Sequence, residues 1–136
     1  MAHANVQTLI EAAALAARQA YAPYSRYRVG AALQLDTGAI VCGCNVENVS
    51  YGLTQCAERV AIGAAVAQGR RNFAALAIVA EGRTPPFPCG ACRQVLAEFC
   101  GPDFPVHVAL ADSVQAVDTA TLGALLPNAF GARLGA

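Results

Sequence analysis

The residues of this chain with the clearest capacity for chemistry are three cysteines and one glutamate in two short segments. The first segment reads TQCAER at positions 54–59, and the second reads PCGACRQ at positions 88–94. Cys56, Cys89 and Cys92 offer three thiolates, and a catalytic zinc site takes three protein ligands while it leaves a fourth position open. Glu58 would lie beside that position and carry protons. The two segments therefore predict one zinc ion per chain that activates water.

The order of these residues narrows the chemistry further. A ligand-x-Glu segment followed by Pro-Cys-x-x-Cys is typical of zinc-dependent enzymes that deaminate bases, and Cys56 stands here as the first ligand. Three thiolates on a divalent ion leave a net negative charge, which should weaken its acidity. We expect Arg59, Arg93 and Gln94 to offset that charge by donating hydrogen bonds to the sulfur atoms, with Arg59 as the strongest candidate.

Two other interpretations of the cysteines remain open. Cys89 and Cys92 could form a redox dithiol at the start of a helix, although this leaves the first segment without a role. A structural zinc site would need a fourth ligand, which Cys42 or Cys44 could supply from one face of a strand. Both of these residues could equally be small core side chains.

The elements that must position these residues alternate between helix and strand. Helices are predicted at Thr8–Tyr21, Cys56–Ala67, Pro88–Cys100 and Thr119–Leu126. Strands are predicted at Val29–Leu35, Ile40–Asn45, Ala74–Ala80 and Val106–Ala111. Thr8 and Glu11 form a capping-box pattern for the first helix, Pro23 would end it, and Thr54 would cap the second. This alternation predicts an α/β fold with a mixed sheet covered by helices, in one domain spanning residues 1–136.

Composition limits the partners of such a domain. Nine arginines balance nine acidic residues, and no basic stripe is present, so a small molecule is favoured over a nucleic acid as substrate. No apolar stretch reaches the ~18 residues of a membrane span, and the short polar N-terminus is unlike a signal peptide. We therefore expect a cytoplasmic protein, where six cysteines favour metal binding over disulfides. A hydrophobic content of 56% suggests that apolar surface is buried between subunits.

Three further segments give the chain a resemblance that covers nearly its whole length. They are PYS at 23–25 followed by VGAA at 29–32, NVEN at 45–48 followed by SYG at 50–52, and LLP at 125–127 followed by FG at 130–131. With the zinc segments, they resemble the cytidine deaminases of the small, three-cysteine, homotetrameric type. The resemblance implies a three-layer α/β/α sandwich with a mixed central sheet.

The same resemblance implies a role for each matching residue. The three cysteines would bind zinc and Glu58 would be the proton shuttle. Asn45 and Glu47 would bind the ribose hydroxyls, the backbone N–H of Ala57 would contact the pyrimidine carbonyl, and Tyr27 would pack against the base.

The resemblance also implies that active sites are shared between subunits. Tyr51 and Phe130 would reach into a neighbouring subunit's site in a homotetramer. The chain departs from the family pattern at three positions, which bear on the choice of substrate. Tyr27 stands where Phe is common, Arg28 where Pro is frequent, and Gln55 where an apolar residue is usual.

The implied reaction is hydrolytic deamination of cytidine and deoxycytidine to uridine and deoxyuridine with release of ammonia, a step of pyrimidine salvage. Water attacks C4 of the pyrimidine while Glu58 delivers protons to N3 and to the departing amino group. One alternative is a deaminase of a modified cytosine nucleoside such as blasticidin S, and a nucleic-acid-editing deaminase is disfavoured by the neutral charge. From a different class comes a non-catalytic structural zinc protein, in which Glu58 would have no role.

Overall fold

Five short segments, most of them apolar, form one sheet at the centre of the computed structural model, which describes residues 5–131. The strands are β1 (Val29–Leu35), β2 (Ile40–Cys44), β3 (Phe73–Ala80), β4 (Pro105–Leu110) and β5 (Asp118–Thr121). Their order in the sheet is β2-β1-β3-β4-β5. β3 and β4 run parallel, and the other neighbouring pairs are antiparallel. The mixed sheet predicted from the sequence is therefore confirmed.

Helices cover both faces of this sheet. They are α1 (Val6–Ala17), α2 (Ala57–Ala67), α3 (Gly90–Phe99) and α4 (Leu122–Leu125). Successive residues of a strand point to opposite faces, and accordingly Ala32 belongs to the core cluster that includes residues of α1, whereas Ala31 belongs to the cluster that includes residues of the other three helices. The arrangement is the three-layer α/β/α sandwich that the resemblance implies. Among the described residues, no helix has the length and apolar character needed to cross a membrane.

Small residues let α2 lie close to the sheet. A Cβ at Gly43 in β2 would lie 2.5 Å from the carbonyl oxygen of Ala57 and 2.5 Å from the backbone nitrogen of Ala61. Any larger residue at Gly43 would push the first turn of α2 outward. Because that turn carries Glu58, the close approach fixes where this carboxyl group lies relative to the sheet.

The first helix differs from its predicted bounds at both ends. Asn5 caps it, with Oδ1 accepting a hydrogen bond of 2.7 Å from the backbone N–H of Thr8, so the capping box at Thr8 was wrong. Asn is as good a cap as Thr and stands one turn earlier. The helix ends at Ala17 rather than near Pro23, because Tyr21 leaves it to form a parallel bridge with Val46.

The predicted helix at Thr119–Leu126 was also wrong in its first half. Asp118–Thr121 forms the edge strand β5, which pairs with β4, and only Leu122–Leu125 is helical. β-Branched threonines suit a strand, and the Thr121 side chain then caps α4 by accepting from the N–H of Ala124 at 3.2 Å. The other predicted helices and strands agree with the structure to within two residues at each end.

Candidate metal and substrate site

Two helix N-termini bring the three cysteines together. Cys56 and Cys89 are the N-cap residues of α2 and α3, and Cys92 lies in the first turn of α3. Cys56 therefore takes the capping position that was predicted for Thr54. The three Sγ atoms lie within 4.8 Å of one another, and those of Cys89 and Cys92 are 3.5 Å apart. Within residues 5–131 this cluster includes no fourth ligand of the His, Cys, Asp or Glu type.

The donor set fits a zinc ion. Tetrahedral zinc with sulfur ligands at about 2.3 Å requires sulfur atoms about 3.8 Å apart, which is close to the spacing of this cluster. Cys42 and Cys44 are not part of it, so neither supplies the fourth ligand that a structural zinc site would need. An open fourth position is the mark of catalytic zinc.

Electrostatics at the cluster favour the metal-binding thiolate form of Cys56, whereas the hydrogen bond with Cys56 and burial raise the pKa of the Cys92 thiol. The pKa of the Cys56 thiol is lowered to about 5, first by a hydrogen bond from Cys92 and further by Arg59. The Arg59 Nη2 atom lies 3.4 Å from Cys56 Sγ, which is the contact predicted for this arginine. Its Nε atom is buried with no hydrogen-bond partner within residues 5–131. The guanidinium therefore lies against the cluster as a fixed positive charge.

Glu58 lies in the first turn of α2 and is 5% exposed. Burial raises the pKa of its carboxyl group, and the nearby Cys56 thiolate adds to the increase. A carboxyl group with a raised pKa exchanges protons nearer neutral pH, as a proton shuttle must.

Two cysteines of the cluster, Cys56 and Cys89, open with Glu58 into one cavity of 220 Å³. Cys56, Cys89 and Glu58 line it together with Tyr27 and Asn45, and Val29, Ile78 and Phe87 supply apolar walls. Ala57 and Gln55 also contribute to the lining. A polar end with a buried carboxyl group and apolar walls suit a small ring that carries polar groups, such as a base.

Asn45 is 7% exposed, and its amide group bonds to the backbone. Nδ2 donates to the carbonyl oxygen of Tyr27 at 2.8 Å, and Oδ1 accepts from the N–H of Val29 at 2.9 Å. An amide group has two donors and two acceptor lone pairs. Each atom of the Asn45 amide thus keeps one hydrogen-bonding position for another partner.

Glu47 lines a neighbouring cavity of 210 Å³, which shares Thr54 with the first. Its Oε1 accepts from the backbone N–H groups of Tyr24 and Ser25 at 3.0 and 3.1 Å, and its Oε2 accepts from the Ser25 hydroxyl. These bonds, the one from the Ser25 hydroxyl first, lower the pKa of Glu47. The sequence analysis did not single out Ser25, whose only signal was its place in the resembling segment at 23–25.

Not every candidate residue joins the cluster. Tyr51 and Phe130 are 73% and 83% exposed, and neither lines the cavity that contains Glu58. Gln94 donates to the Phe130 carbonyl oxygen at 2.9 Å instead of to a sulfur atom. It follows Cys92 by two residues, and two residues are about 200° around a helix, so it faces away from the sulfur atoms.

Arg93 also bonds to the backbone rather than to the cluster. Its Nε donates to the carbonyl oxygen of Pro88 at 2.6 Å, and its Nη1 donates to that of Leu125 at 2.7 Å. Arg93 thus ties the residue before Cys89 to the end of α4. Of the three donors predicted to bond to sulfur, Arg59 alone does so in the part of the chain that the structure describes.

A family model, a relative in sequence and a solved structure all match this chain to cytidine deaminases. Residues 3–108 match the family described as the cytidine and deoxycytidylate deaminase zinc-binding region. The chain is 48% identical to a cytidine deaminase of Sporosarcina psychrophila over 93% of its own length and 91% of that protein. It also resembles the crystal structure of a Burkholderia pseudomallei cytidine deaminase, with a TM-score of 0.87 and 48% identity over 93% of this chain and 100% of that one. The chain is 30% identical to a blasticidin-S deaminase of Bacillus cereus, over only 55% of this chain and 59% of that protein.

Proposed function

This chain belongs to the cytidine deaminase family, and we propose that it deaminates the free nucleosides cytidine and deoxycytidine to uridine and deoxyuridine with release of ammonia. The observation that carries the proposal is a cluster of three cysteine sulfur atoms, two of whose cysteines, Cys56 and Cys89, line one cavity with the buried Glu58. Metal ligands alone would suit a structural site. A buried proton carrier beside an incomplete ligand set suits hydrolysis.

Cys56, Cys89 and Cys92 would hold one zinc ion. Zinc bound there supplies a Lewis acid that brings the pKa of water toward neutrality. Arg59 would offset the negative charge of three thiolates, because its guanidinium already contacts Cys56 Sγ. Gln94 would not offset this charge, since its side chain donates to the Phe130 carbonyl oxygen.

Glu58 would carry both protons of the reaction. It takes one proton from the attacking water and delivers it to N3 as the bond from oxygen to C4 forms. It then moves the remaining hydroxyl proton to the amino group, the bond from C4 to nitrogen breaks, and ammonia leaves. Its burial, which raises the pKa of the carboxyl group, supports this exchange of protons near neutral pH.

The residues around the cavity would orient the nucleoside. The backbone N–H of Ala57 would bond to the pyrimidine carbonyl, and the ring of Tyr27 would pack on the base. The unused N–H of Asn45 would donate to a sugar hydroxyl, and Glu47 would accept from one. Glu47 keeps acceptor capacity because a carboxylate has about four lone-pair positions and three hydrogen bonds are present.

Tyr51 and Phe130 would act in a neighbouring subunit's site, in a homotetramer. Both side chains are largely exposed, as are Val49 and Leu53 at 75% and 63%. Contiguous exposed apolar side chains on a small protein mark an interaction surface. Light scattering of the purified protein would test the tetramer by its mass.

We also propose that the whole chain, residues 1–136, works as one domain in pyrimidine salvage in the cytoplasm. All five strands belong to one sheet, which supports the single domain. The cysteines of the structure are free thiols, and a reducing compartment preserves thiols for metal binding.

A substrate panel tests the proposal. The purified protein is assayed spectrophotometrically with cytidine, deoxycytidine, cytosine and blasticidin S, and its zinc content is measured. We expect about one zinc per chain and turnover of the two nucleosides. Turnover of blasticidin S alone would support the deaminase of a modified nucleoside, and zinc binding without any turnover would support a structural protein.

A further inference from the structure

The hydroxyl group of Ser25 lies at a junction between the sugar side and the base side of the site. Its Oγ donates to Oε2 of Glu47 and accepts from the backbone N–H of Tyr27 at 3.0 Å. A serine hydroxyl has one donor and two acceptor positions, so both bonds can exist together. Ser25 is thus a physical connection between the carboxylate of one cavity and the aromatic residue of the other.

The same line of hydrogen bonds continues into the sheet. The carbonyl oxygen of Tyr27 accepts from Asn45 Nδ2, and Asn45 Oδ1 accepts from the N–H of Val29, the first residue of β1. A chain of successive hydrogen bonds therefore joins four residues to the buried strand β1: Glu47, Ser25, Tyr27 and Asn45. A satisfied hydrogen-bond network rigidifies the groups that belong to it, so this line supports the two residues that would contact the sugar.

The bond from Ser25 decides the orientation of the Glu47 carboxylate. The N–H groups of Tyr24 and Ser25 both bond to Oε1, so they leave the carboxylate free to swing about that atom. Among residues 5–131, the Ser25 hydroxyl alone bonds to Oε2 of Glu47. Because hydrogen bonds hold both oxygen atoms of the Glu47 carboxylate, its remaining acceptor lone pair points in one fixed direction.

We infer that Ser25 is a positioning residue for sugar recognition: its hydroxyl aims the remaining acceptor position of Glu47 at a hydroxyl group of the nucleoside. The inference rests on the proposed nucleoside deaminase function. Preorganised acceptors bind better than mobile ones because less freedom is lost on binding. Ser25 would therefore affect KM for substrates that carry sugar hydroxyl groups and leave kcat nearly unchanged.

A comparison of two substrates tests this inference. Steady-state kinetics of the zinc-loaded enzyme are measured with cytidine and with 2′,3′-dideoxycytidine, which lacks the sugar hydroxyl groups that Glu47 could accept from. We expect the wild type to prefer cytidine. In Ser25→Ala the preference should fall about tenfold, the scale of one hydrogen bond to a charged group, through a higher KM for cytidine. Ser25→Thr keeps the hydroxyl and should restore the preference.

Ser113→Ala is the matched control, because the exposed Ser113 also donates to a carboxylate, that of Asp112 at 3.2 Å. It should change neither substrate's kinetics. An unchanged preference in Ser25→Ala, or an equal loss for both substrates, would overturn the inference, as would a failure of Ser25→Thr to restore it. Failure of the proposed function is a distinct result, since the wild type would then turn over neither nucleoside.

Discussion

The zinc end and the sugar end of the site are built in different ways. At the zinc end, three sulfur atoms and Glu58 come from the first turns of two helices packed on the sheet, and Glu58 is 5% exposed. At the sugar end, Glu47 lies in an irregular segment held by hydrogen bonds to other loop residues, and Tyr51 beside it is 73% exposed. One chain thus brings the three sulfur atoms and Glu58 together by itself, whereas we propose that sugar recognition depends on loops and on a neighbouring subunit.

The electrostatic consequences of this difference are opposite in sign. Burial raises the pKa of Glu58, the residue that we propose exchanges protons. Hydrogen bonds, first among them that from Ser25, lower the pKa of Glu47 and keep it an ionised acceptor. Two glutamates eleven positions apart therefore receive different roles from their surroundings. Substitutions at the first end should change kcat, and substitutions at the second should change KM.

The largest effect is expected for Glu58→Gln. Loss of the proton carrier should lower kcat by about 10³-fold, within the range of general acid–base catalysis, while the zinc content stays at the wild-type value. Stopped assays with cytidine and metal analysis measure both quantities. Glu98→Gln, an exposed change on α3, is the control, and near-normal turnover by Glu58→Gln would remove Glu58 from its role.

Phe130→Ala should have the next largest effect, although residue 130 lies outside the cavity of its own chain. Loss of an aromatic contact with the substrate of a neighbouring subunit should lower kcat/KM by about 30-fold. Leu15→Ala removes another exposed apolar side chain, on α1, and should leave kcat/KM unchanged. If Phe130→Ala retains full activity in an intact tetramer, the sites are not shared through this residue.

Glu47→Gln should raise KM for cytidine by about tenfold with little change in kcat, because a charged acceptor is replaced by a neutral one. Initial rates over a range of cytidine concentrations separate the two constants. Glu11→Gln on the exposed face of α1 is the control. A fall in kcat at unchanged KM would contradict the division between the two ends.

The smallest effect is expected for the pH dependence of stability that comes from His107, which lies outside both ends of the site. His107 in β4 is buried and bonds to Thr119 through Nδ1 at 2.8 Å, and burial lowers its pKa. In the unfolded chain it protonates near its ordinary pKa of about 6.5, so below that pH the unfolded state binds more protons. Stability should therefore fall as pH decreases from about 6.5 toward the lower folded pKa.

Thermal unfolding of the wild type and of His107→Gln between pH 7.5 and 5 measures this effect. The variant should lose less stability over that interval than the wild type. Equal losses would assign the acid sensitivity to other groups. The comparison also separates a decrease in activity caused by unfolding from one caused by Glu58.

The parts of the fold that follow from local patterns were predicted well. Val29–Leu35 has the same bounds in the sequence analysis and in the structure, because a short, mostly apolar segment that is followed by a turn at Gly38, where φ is 92°, favours a strand over a helix. The first helix and the end of the chain were predicted less well. Tyr21 pairs with Val46, and Asp118–Thr121 pairs with β4, through contacts between segments distant in sequence.

The site shows the same distinction between features that follow from local sequence and features that depend on contacts between distant segments. The amino-acid sequence by itself predicted the three candidate ligands, the candidate proton carrier and the contact of Arg59 with sulfur, because these residues stand at fixed spacings in two short segments and their chemistry depends on residue type. Tertiary structure alone decided the hydrogen-bond partners of Gln94, Arg93 and Ser25. Each bonds to a group that folding brings near, the carbonyl oxygens of Phe130 and Leu125 and the carboxylate of Glu47. Local spacing can specify a reactive cluster, whereas the direction in which a surface side chain is held depends on packing between distant segments.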